Sequence, residues 1–93
     1  MGTNSGIGDV NNPGVKVTSY STHASLRMAQ RGMTSSQVDD IVSKGVALAQ
    51  GDTYYFLSRQ GAAVLTKAGR VVTAYTQAEF YEETWALIWE LGI

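Results

Sequence analysis

The only histidine of the chain, His23, opens a short stretch that also carries two arginines, Arg27 and Arg31, at intervals of four residues. An α-helix turns about 100° per residue, so these side chains and Gln30 would share one stripe roughly 100° wide. An imidazole can move a proton near neutral pH, and guanidinium groups bind phosphate oxygens in pairs. The residue types are therefore suited to chemistry at a phosphodiester, but the spacing alone is equally typical of a surface helix whose arginines pair with carboxylates.

A second group of candidate residues lies in the run VVTAYT at residues 71–76. Alternation along a strand puts Val72 and Ala74 towards the core, and Thr73 and Tyr75 side by side on the other face. A hydroxyl and a phenol on one face are suited to orienting a substrate or moving a proton. A sheet face that is simply half polar would look the same.

Aromatic residues form two further groups. Tyr54, Tyr55 and Phe56 are adjacent and could stack on nucleic-acid bases, although adjacent aromatic residues in a small strand also pack in cores. Trp85 and Trp89, near the end of the sequence, are typical of packing or of contacts with a partner protein.

The composition argues against several other kinds of site. The chain has no cysteine, which excludes disulfides, thiolate nucleophiles and zinc sites that need sulfur. It contains neither a Walker-type phosphate loop nor a G-x-S-x-G nucleophile motif. We therefore expect neither a metal nor a cofactor. No segment reaches the roughly 20 apolar residues of a membrane span, and no signal-peptide pattern is present, so we expect a soluble domain.

The net charge of −1 conceals an uneven distribution. All seven Lys and Arg residues precede position 71, whereas residues 71–93 carry four glutamates and no basic residue. Such asymmetry permits a positive surface on a weakly acidic protein.

The elements that would position the candidate residues belong to one small domain, because 93 residues with 44% hydrophobic content suffice for a single core. Residues 1–14, rich in Gly and Asn, predict a flexible leader or linker, and residues 15–93 predict the domain itself. Within it, residues 15–20 alternate in polarity and could pair at a sheet edge.

Two helices are predicted next. Thr22 can cap the first, over roughly residues 23–31, and Gly32 can end it in a left-handed conformation. The second begins at the capping-box pattern TSSQ, residues 34–37, and ends at Gly45.

Four strands and a third helix complete the prediction. The strand-like runs are rich in β-branched and aromatic residues, and loops short enough for antiparallel hairpins separate them; they span residues 46–50, 53–58, 62–67 and 71–76. The tail returns to helical spacing, with Tyr81, Thr84, Trp85 and Ile88 on one face. The predicted fold is therefore α+β, with two N-terminal helices packed on an antiparallel sheet of four or more strands and a C-terminal helix.

The run STHASLRMAQRGMTSSQVDDIVSKG resembles the first two helices of a family whose hallmark is H-A-x-x-R-M-x-x-R-G, followed by a capped helix and a four-stranded sheet. That family is the barnase/EndoU/colicin/RelE group of small metal-independent ribonucleases. Many of its members are C-terminal toxin domains of contact-dependent growth inhibition proteins or other polymorphic toxins. The resemblance covers about residues 17–91, and DVNN at residues 9–12 is similar to the VENN-type boundary upstream of such toxins.

The resemblance implies a set of active-site residues. Carried over position by position, it makes His23, Arg27 and Arg31 the helical half of the site. It matches Thr73 and Tyr75 to the hydroxyl pair that such toxins carry on the last strand.

The candidate substrate-binding residues have no family motif behind them: Lys67 and Arg70 could contact phosphates, and Tyr55 could stack on a base. The low net charge departs from the family, whose free-standing ribonucleases are usually more basic. This departure favours a structured target such as a tRNA over generic RNA.

The implied activity is an endoribonuclease that needs no metal or cofactor. The ribose 2′-OH attacks the adjacent phosphate and leaves a 2′,3′-cyclic phosphate, with His23 in one proton-transfer role and Tyr75 or a bound water in the other. Arg27 and Arg31 hold the phosphate and Thr73 orients it.

The resemblance further implies a role in bacterial competition. The domain would be the C-terminal part of a secreted or surface-delivered effector, active in the cytoplasm of the target cell and neutralised by a cognate immunity protein. The alternative is a module that binds nucleic acid or protein on the same scaffold without catalysis.

Overall fold

The computed structural model describes residues 13–93, which form three α-helices and a five-stranded sheet. The strands are β1 (Ser19–Tyr20), β2 (Val46–Gln50), β3 (Thr53–Ser58), β4 (Gly61–Thr66) and β5 (Arg70–Thr76). The helices are α1 (Thr22–Arg31), α2 (Ser35–Lys44) and α3 (Glu82–Leu91), with a 3₁₀ turn at Gln77–Glu79. The predicted α+β class is confirmed. Most of the predicted leader, residues 1–12 with the DVNN run, lies outside the described residues.

The sheet has the order β1-β5-β4-β3-β2 and is mixed. Strands β2 to β5 form the predicted antiparallel meander. The prediction of a wholly antiparallel sheet is wrong, because β1 pairs with β5 in parallel, Ser19 opposite Arg70 and Tyr20 opposite Val71. The alternation of residues 15–20 indicated an edge strand correctly, but a local pattern carries no information on the direction of a partner about 50 residues away.

Helix α1 begins one residue earlier than predicted. Ser21 is the N-cap, and its hydroxyl oxygen accepts a hydrogen bond of 2.9 Å from the amide of Ala24. The predicted cap, Thr22, is the first helical residue. Gly32 ends the helix at φ 64°, a left-handed conformation that glycine adopts without a steric penalty.

Helix α2 has the predicted capping box, in which the Thr34 hydroxyl and the Gln37 side chain each accept a hydrogen bond from the other residue's amide. Gly45 ends the helix, but in an extended conformation. Glycine is needed here for space, because a Cβ would overlap the carbonyl oxygens of Ile41 and Leu57.

Helices α1 and α2 cover one face of the sheet, called here the first face, and α3 covers the other, the second face. The buried side chains of the first face form one cluster: Ala24, Met28, Met33, Val38, Ile41, Val42, Ala47, Phe56, Ala63, Leu65, Val71 and Ala74. The second face has a smaller buried set, Leu57, Ala62 and Ile88. Half-buried side chains surround it: Tyr55, Tyr75, Phe80, Trp85, Leu87, Leu91 and Ile93.

A β-bulge interrupts strand β5. Val64 pairs with Thr73, but the next residue of β4, Leu65, pairs with Val71, so Val72 has no partner. The prediction that Val72 is a core residue is wrong, because the extra residue brings Val71 to the buried face beside Ala74 and leaves Val72 36% exposed.

Candidate functional site

The candidate helical stripe lies on an outward flank of α1. Ala24 and Met28 on the inner side are buried and hold the helix against the sheet. His23 is exposed, and within residues 13–93 its imidazole takes part in no hydrogen bond or ion pair. Arg27 is half-buried, and its guanidinium donates a hydrogen bond of 3.1 Å to Gln30. Both groups are therefore available to a ligand.

Helix α1 is bonded to the edge of β5 that β1 leaves uncovered, since β1 pairs only with the first two residues of that strand. The Ser21 hydroxyl donates to the carbonyl oxygen of Val72 at 3.1 Å. At the other end of the helix, the guanidinium of Arg31 donates to the carbonyl oxygen of Ala74 at 2.9 Å. Two hydrogen bonds thus fix the helix along the strand.

Arg31 also forms an ion pair, in which its Nε lies 2.5 Å from a carboxylate oxygen of Glu79 in the 3₁₀ turn. Its side chain is 21% exposed and that of Glu79 is 44% exposed. Arg31 therefore links α1 both to β5 and to the segment that leads into α3.

This arginine contacts the backbone of the strand that carries the other predicted half of the site, whereas the side chain of Tyr75 lies on the second face, away from α1. Ala74, which accepts the arginine's hydrogen bond, lies between Thr73 and Tyr75 in the strand. Among the described contacts, none connects His23 or Arg27 directly with either hydroxyl residue.

The phenol of Tyr75 is engaged on the second face. Its oxygen lies 2.9 Å from the phenol oxygen of Tyr55, and its ring packs edge-on against Phe80. Burial, and then the hydrogen bond with Tyr75, raise the pKa of Tyr55, whereas a side-chain hydrogen bond with Thr84 of α3 acts in the opposite direction. Thr73 is half-buried, opposite Val64.

The remaining predicted substrate-binding residues differ in their surroundings. Tyr55 lies beneath α3 as the partner of Tyr75, so its ring is part of the packing there. Lys67 is exposed in the turn between β4 and β5, and Arg70 begins β5 with its guanidinium 3.4 Å from the Ser19 hydroxyl. The two basic residues are therefore at the end of β5 where β1 pairs.

The aromatic residues in and next to α3 differ in exposure. Trp85 packs in the second-face cluster, whereas Trp89 is 63% exposed. The guanidinium carbon of Arg59 lies 4.7 Å from the Trp89 ring centroid, and Arg59 Nε donates to the carbonyl oxygen of Ile93 at 2.7 Å. Tyr81 precedes α3 and is exposed, contrary to its predicted place on the packed face.

Sequence reasoning missed two residues that contact the candidate site. Glu79 pairs with Arg31 across 48 positions, and Thr84 acts on Tyr55 from α3. For Glu79 the only indication was general, an excess of carboxylates in a segment without basic residues. Helical spacing did place Thr84 on the packed face of the C-terminal helix, but not opposite Tyr55.

Residues 13–93 contain no group of three or more His, Cys, Asp or Glu side chains arranged to hold a metal ion. None of their helices is both long enough and apolar enough to span a membrane.

Comparisons with known proteins give no significant match, whether to a protein-family model, to a curated protein or to a solved structure.

Proposed function

We propose that the domain is a metal-independent endoribonuclease toxin that cleaves RNA, with tRNA as the preferred substrate. The observation that carries this proposal is the hydrogen bond from Arg31 to the carbonyl oxygen of Ala74. It ties the helix of His23 and Arg27 to the strand segment of Thr73 and Tyr75, although the sequence separates the two by about 50 positions.

The chemistry requires a phosphate contact and two proton transfers. Arg27 binds a phosphate oxygen, and the exposed imidazole of His23 takes part in one proton transfer. The ribose 2′-oxygen forms a bond to phosphorus while the bond to the 5′-oxygen breaks, giving a 2′,3′-cyclic phosphate and a 5′-hydroxyl. Tyr75 or a bound water takes part in the second proton transfer, and Thr73 orients the phosphate.

The distribution of charge supports a structured substrate. Besides the arginines of α1, the exposed Lys67 and Arg70 lie at one end of β5, whereas α3 carries Glu82, Glu83 and Glu90. A polyanion is attracted to the first group and repelled by α3, so it binds in a limited range of orientations. A folded RNA such as a tRNA can satisfy separated contacts at once.

The biological setting follows from the same proposal. Such a toxin is delivered as the C-terminal part of a secreted or surface-displayed effector and acts in the cytoplasm of the target cell. The producing cell needs an immunity protein that keeps RNA out of the site.

The test is incubation of the purified protein with total bacterial RNA in the presence of EDTA, followed by mapping of the cleaved bonds and their end groups. We expect discrete cleavage with 2′,3′-cyclic phosphate ends. His23→Ala should abolish it, and Ser25→Ala, an exposed substitution on another flank of the same helix, should not. Intact RNA at high protein excess would reject the proposal.

A binding module is the second candidate function, and the exposed ring of Trp89 is the observation that favours it. Trp and Arg are common at the centres of protein interfaces, and Arg59 already stacks on this ring. If RNA stays intact and Trp89→Ala abolishes binding to a partner protein while His23→Ala does not, this second function is the correct one.

A further inference from the structure

The guanidinium of Arg31 is held on two sides. One terminal nitrogen donates to the carbonyl oxygen of Ala74, and Nε donates to the carboxylate of Glu79. Within residues 13–93, Glu79 is the only carboxylate that pairs with an arginine, because the second ion pair joins Lys44 and Asp40. The three glutamates of α3 have no ion-pair partner there.

A carboxylate and a phosphate bind a guanidinium in the same way, through paired N–H···O bonds. Glu79 takes the Nε donor of Arg31 through a single bond, and a phosphate that binds this guanidinium through Nε must displace it. Arg27 lies one turn earlier, about 6 Å along the helix axis, and within the described part of the chain its side chain bonds only with the neutral Gln30. That separation is comparable with the spacing of neighbouring phosphates along an RNA strand.

We infer that Glu79 is a specificity-determining residue, a built-in competitor that a substrate phosphate must displace from Arg31. This inference rests on the proposed function. An RNA that places a single phosphate on Arg27 binds weakly, because Arg31 stays paired with Glu79. An RNA whose fold holds a second phosphate beside Arg31 replaces the carboxylate and binds through both arginines. Glu79 thereby favours a folded RNA over a flexible one.

The test measures RNA binding in a His23→Ala background, so that cleavage does not interfere. The probes are unfractionated bacterial tRNA and a single-stranded oligouridylate, both in EDTA. Glu79→Gln removes the competing charge, and Glu82→Gln is the matched control, because it removes the same charge from an exposed carboxylate that has no ion-pair partner in the described part of the chain.

Relative to the control, we expect Glu79→Gln to tighten binding of both probes several-fold and to reduce the preference for tRNA. For the oligouridylate, which leaves Arg31 paired with Glu79 in the parent protein, the plot of log affinity against log salt concentration should steepen by about 0.7, the contribution of one additional phosphate contact on a single strand. Binding that is no tighter than in Glu82→Gln, or that is weaker, would overturn the inference and make Glu79 a residue that only supports Arg31.

A second measurement needs no substitution of Glu79. In the ¹⁵N-labelled His23→Ala protein with Glu79 intact, the Nε–Hε resonance of Arg31 should shift when tRNA saturates the domain. An unmoved Arg31 resonance in the bound protein would mean that no phosphate reaches this guanidinium.

The outcome is separable from that of the proposed function. Cleavage by the wild type with no effect of Glu79→Gln on binding rejects this inference alone. Tighter binding by Glu79→Gln without any cleavage by the wild type rejects the nuclease alone. An absence of RNA binding in every form rejects both.

Discussion

The two faces of the sheet differ in how completely they are packed. On the first face, α1 and α2 close over a continuous set of buried apolar side chains that includes Phe56, Ile41 and Leu65. On the second face, α3 buries few residues completely, and half-buried tyrosines and Trp85 surround them. Stability therefore comes mainly from the first face, and polar side chains that can do chemistry are retained where packing is less complete.

The candidate site lies at the boundary between these regions. Its helix is held by first-face residues, whereas Tyr75 points to the second face. A rigid layer thus supports the stripe of α1, and a less densely packed layer holds the phenols. The following predictions test this contrast, from the largest expected effect to the smallest.

Truncation of a first-face core residue should have the largest effect. Phe56→Ala removes a fully buried ring at the centre of the sheet, and we expect a loss of about 3 to 5 kcal/mol in the free energy of unfolding. Chemical denaturation followed by circular dichroism measures it. A loss below about 1 kcal/mol would show that the first face is not the principal core.

The corresponding truncation on the second face should cost less. Ile88 is also fully buried, but α3 can shift towards the sheet, so Ile88→Ala should cost about 2 kcal/mol, at the low end for such a change. In hydrogen exchange, the α3 amides should lose protection in this variant before those of β3 to β5. Simultaneous loss of protection throughout the domain would contradict the contrast between the faces.

Removal of one tyrosine hydroxyl should have opposite effects on the two faces. The Tyr55 hydroxyl is hydrogen-bonded to Tyr75, so Tyr55→Phe should lower the free energy of unfolding by about 1 kcal/mol. The Tyr20 hydroxyl on the first face is buried and has no hydrogen-bond partner among residues 13–93, so Tyr20→Phe should leave stability unchanged or raise it. Urea titrations of both variants decide the signs, and equal losses would refute the argument.

Alkaline pH should give the smallest effect. Burial raises the pKa of Tyr55, and its hydrogen bond with Tyr75 raises it further. Burial also raises the pKa of Tyr20, and the charge of Asp39 adds to that increase. In the unfolded chain the tyrosine side chains ionise near pH 10. The contribution of the two folded phenols to the free energy of unfolding is therefore complete below that pH and decreases above it. The slope of stability against pH above about 10 should be shallower in Tyr55→Phe, and an unchanged slope would count against the raised pKa.

The parts of the fold that sequence alone predicted depend on neighbouring residues. The capping box of Thr34 and Gln37, the left-handed stop at Gly32 and the antiparallel hairpins all arise within a few positions. The choice of Thr22 as the first cap was wrong by one residue, because Ser21 offers an equivalent hydroxyl.

The parts that could not be predicted depend on distant residues. The parallel pairing of β1 and the bulge at Val72 are set by the fit of β5 to both of its neighbours. The stripe of α1 followed from helical spacing, but its contact with Glu79 joins segments whose approach only the complete fold determines. The same holds for the phenol pair of Tyr55 and Tyr75.

The shortness of β1 has a mechanical consequence. A force applied to the polypeptide ahead of β1 reaches this edge strand of two residues before any other strand. It is resisted there by few bonds, notably those from the amides of Thr18 and Ser21 to the carbonyl oxygens of Gly69 and Val71, each 2.9 Å long. Their rupture uncovers the start of β5, while the antiparallel meander is still intact and Arg31 still holds α1 to the carbonyl oxygen of Ala74. Resistance to pulling and resistance to denaturant are therefore governed by different strands of one sheet.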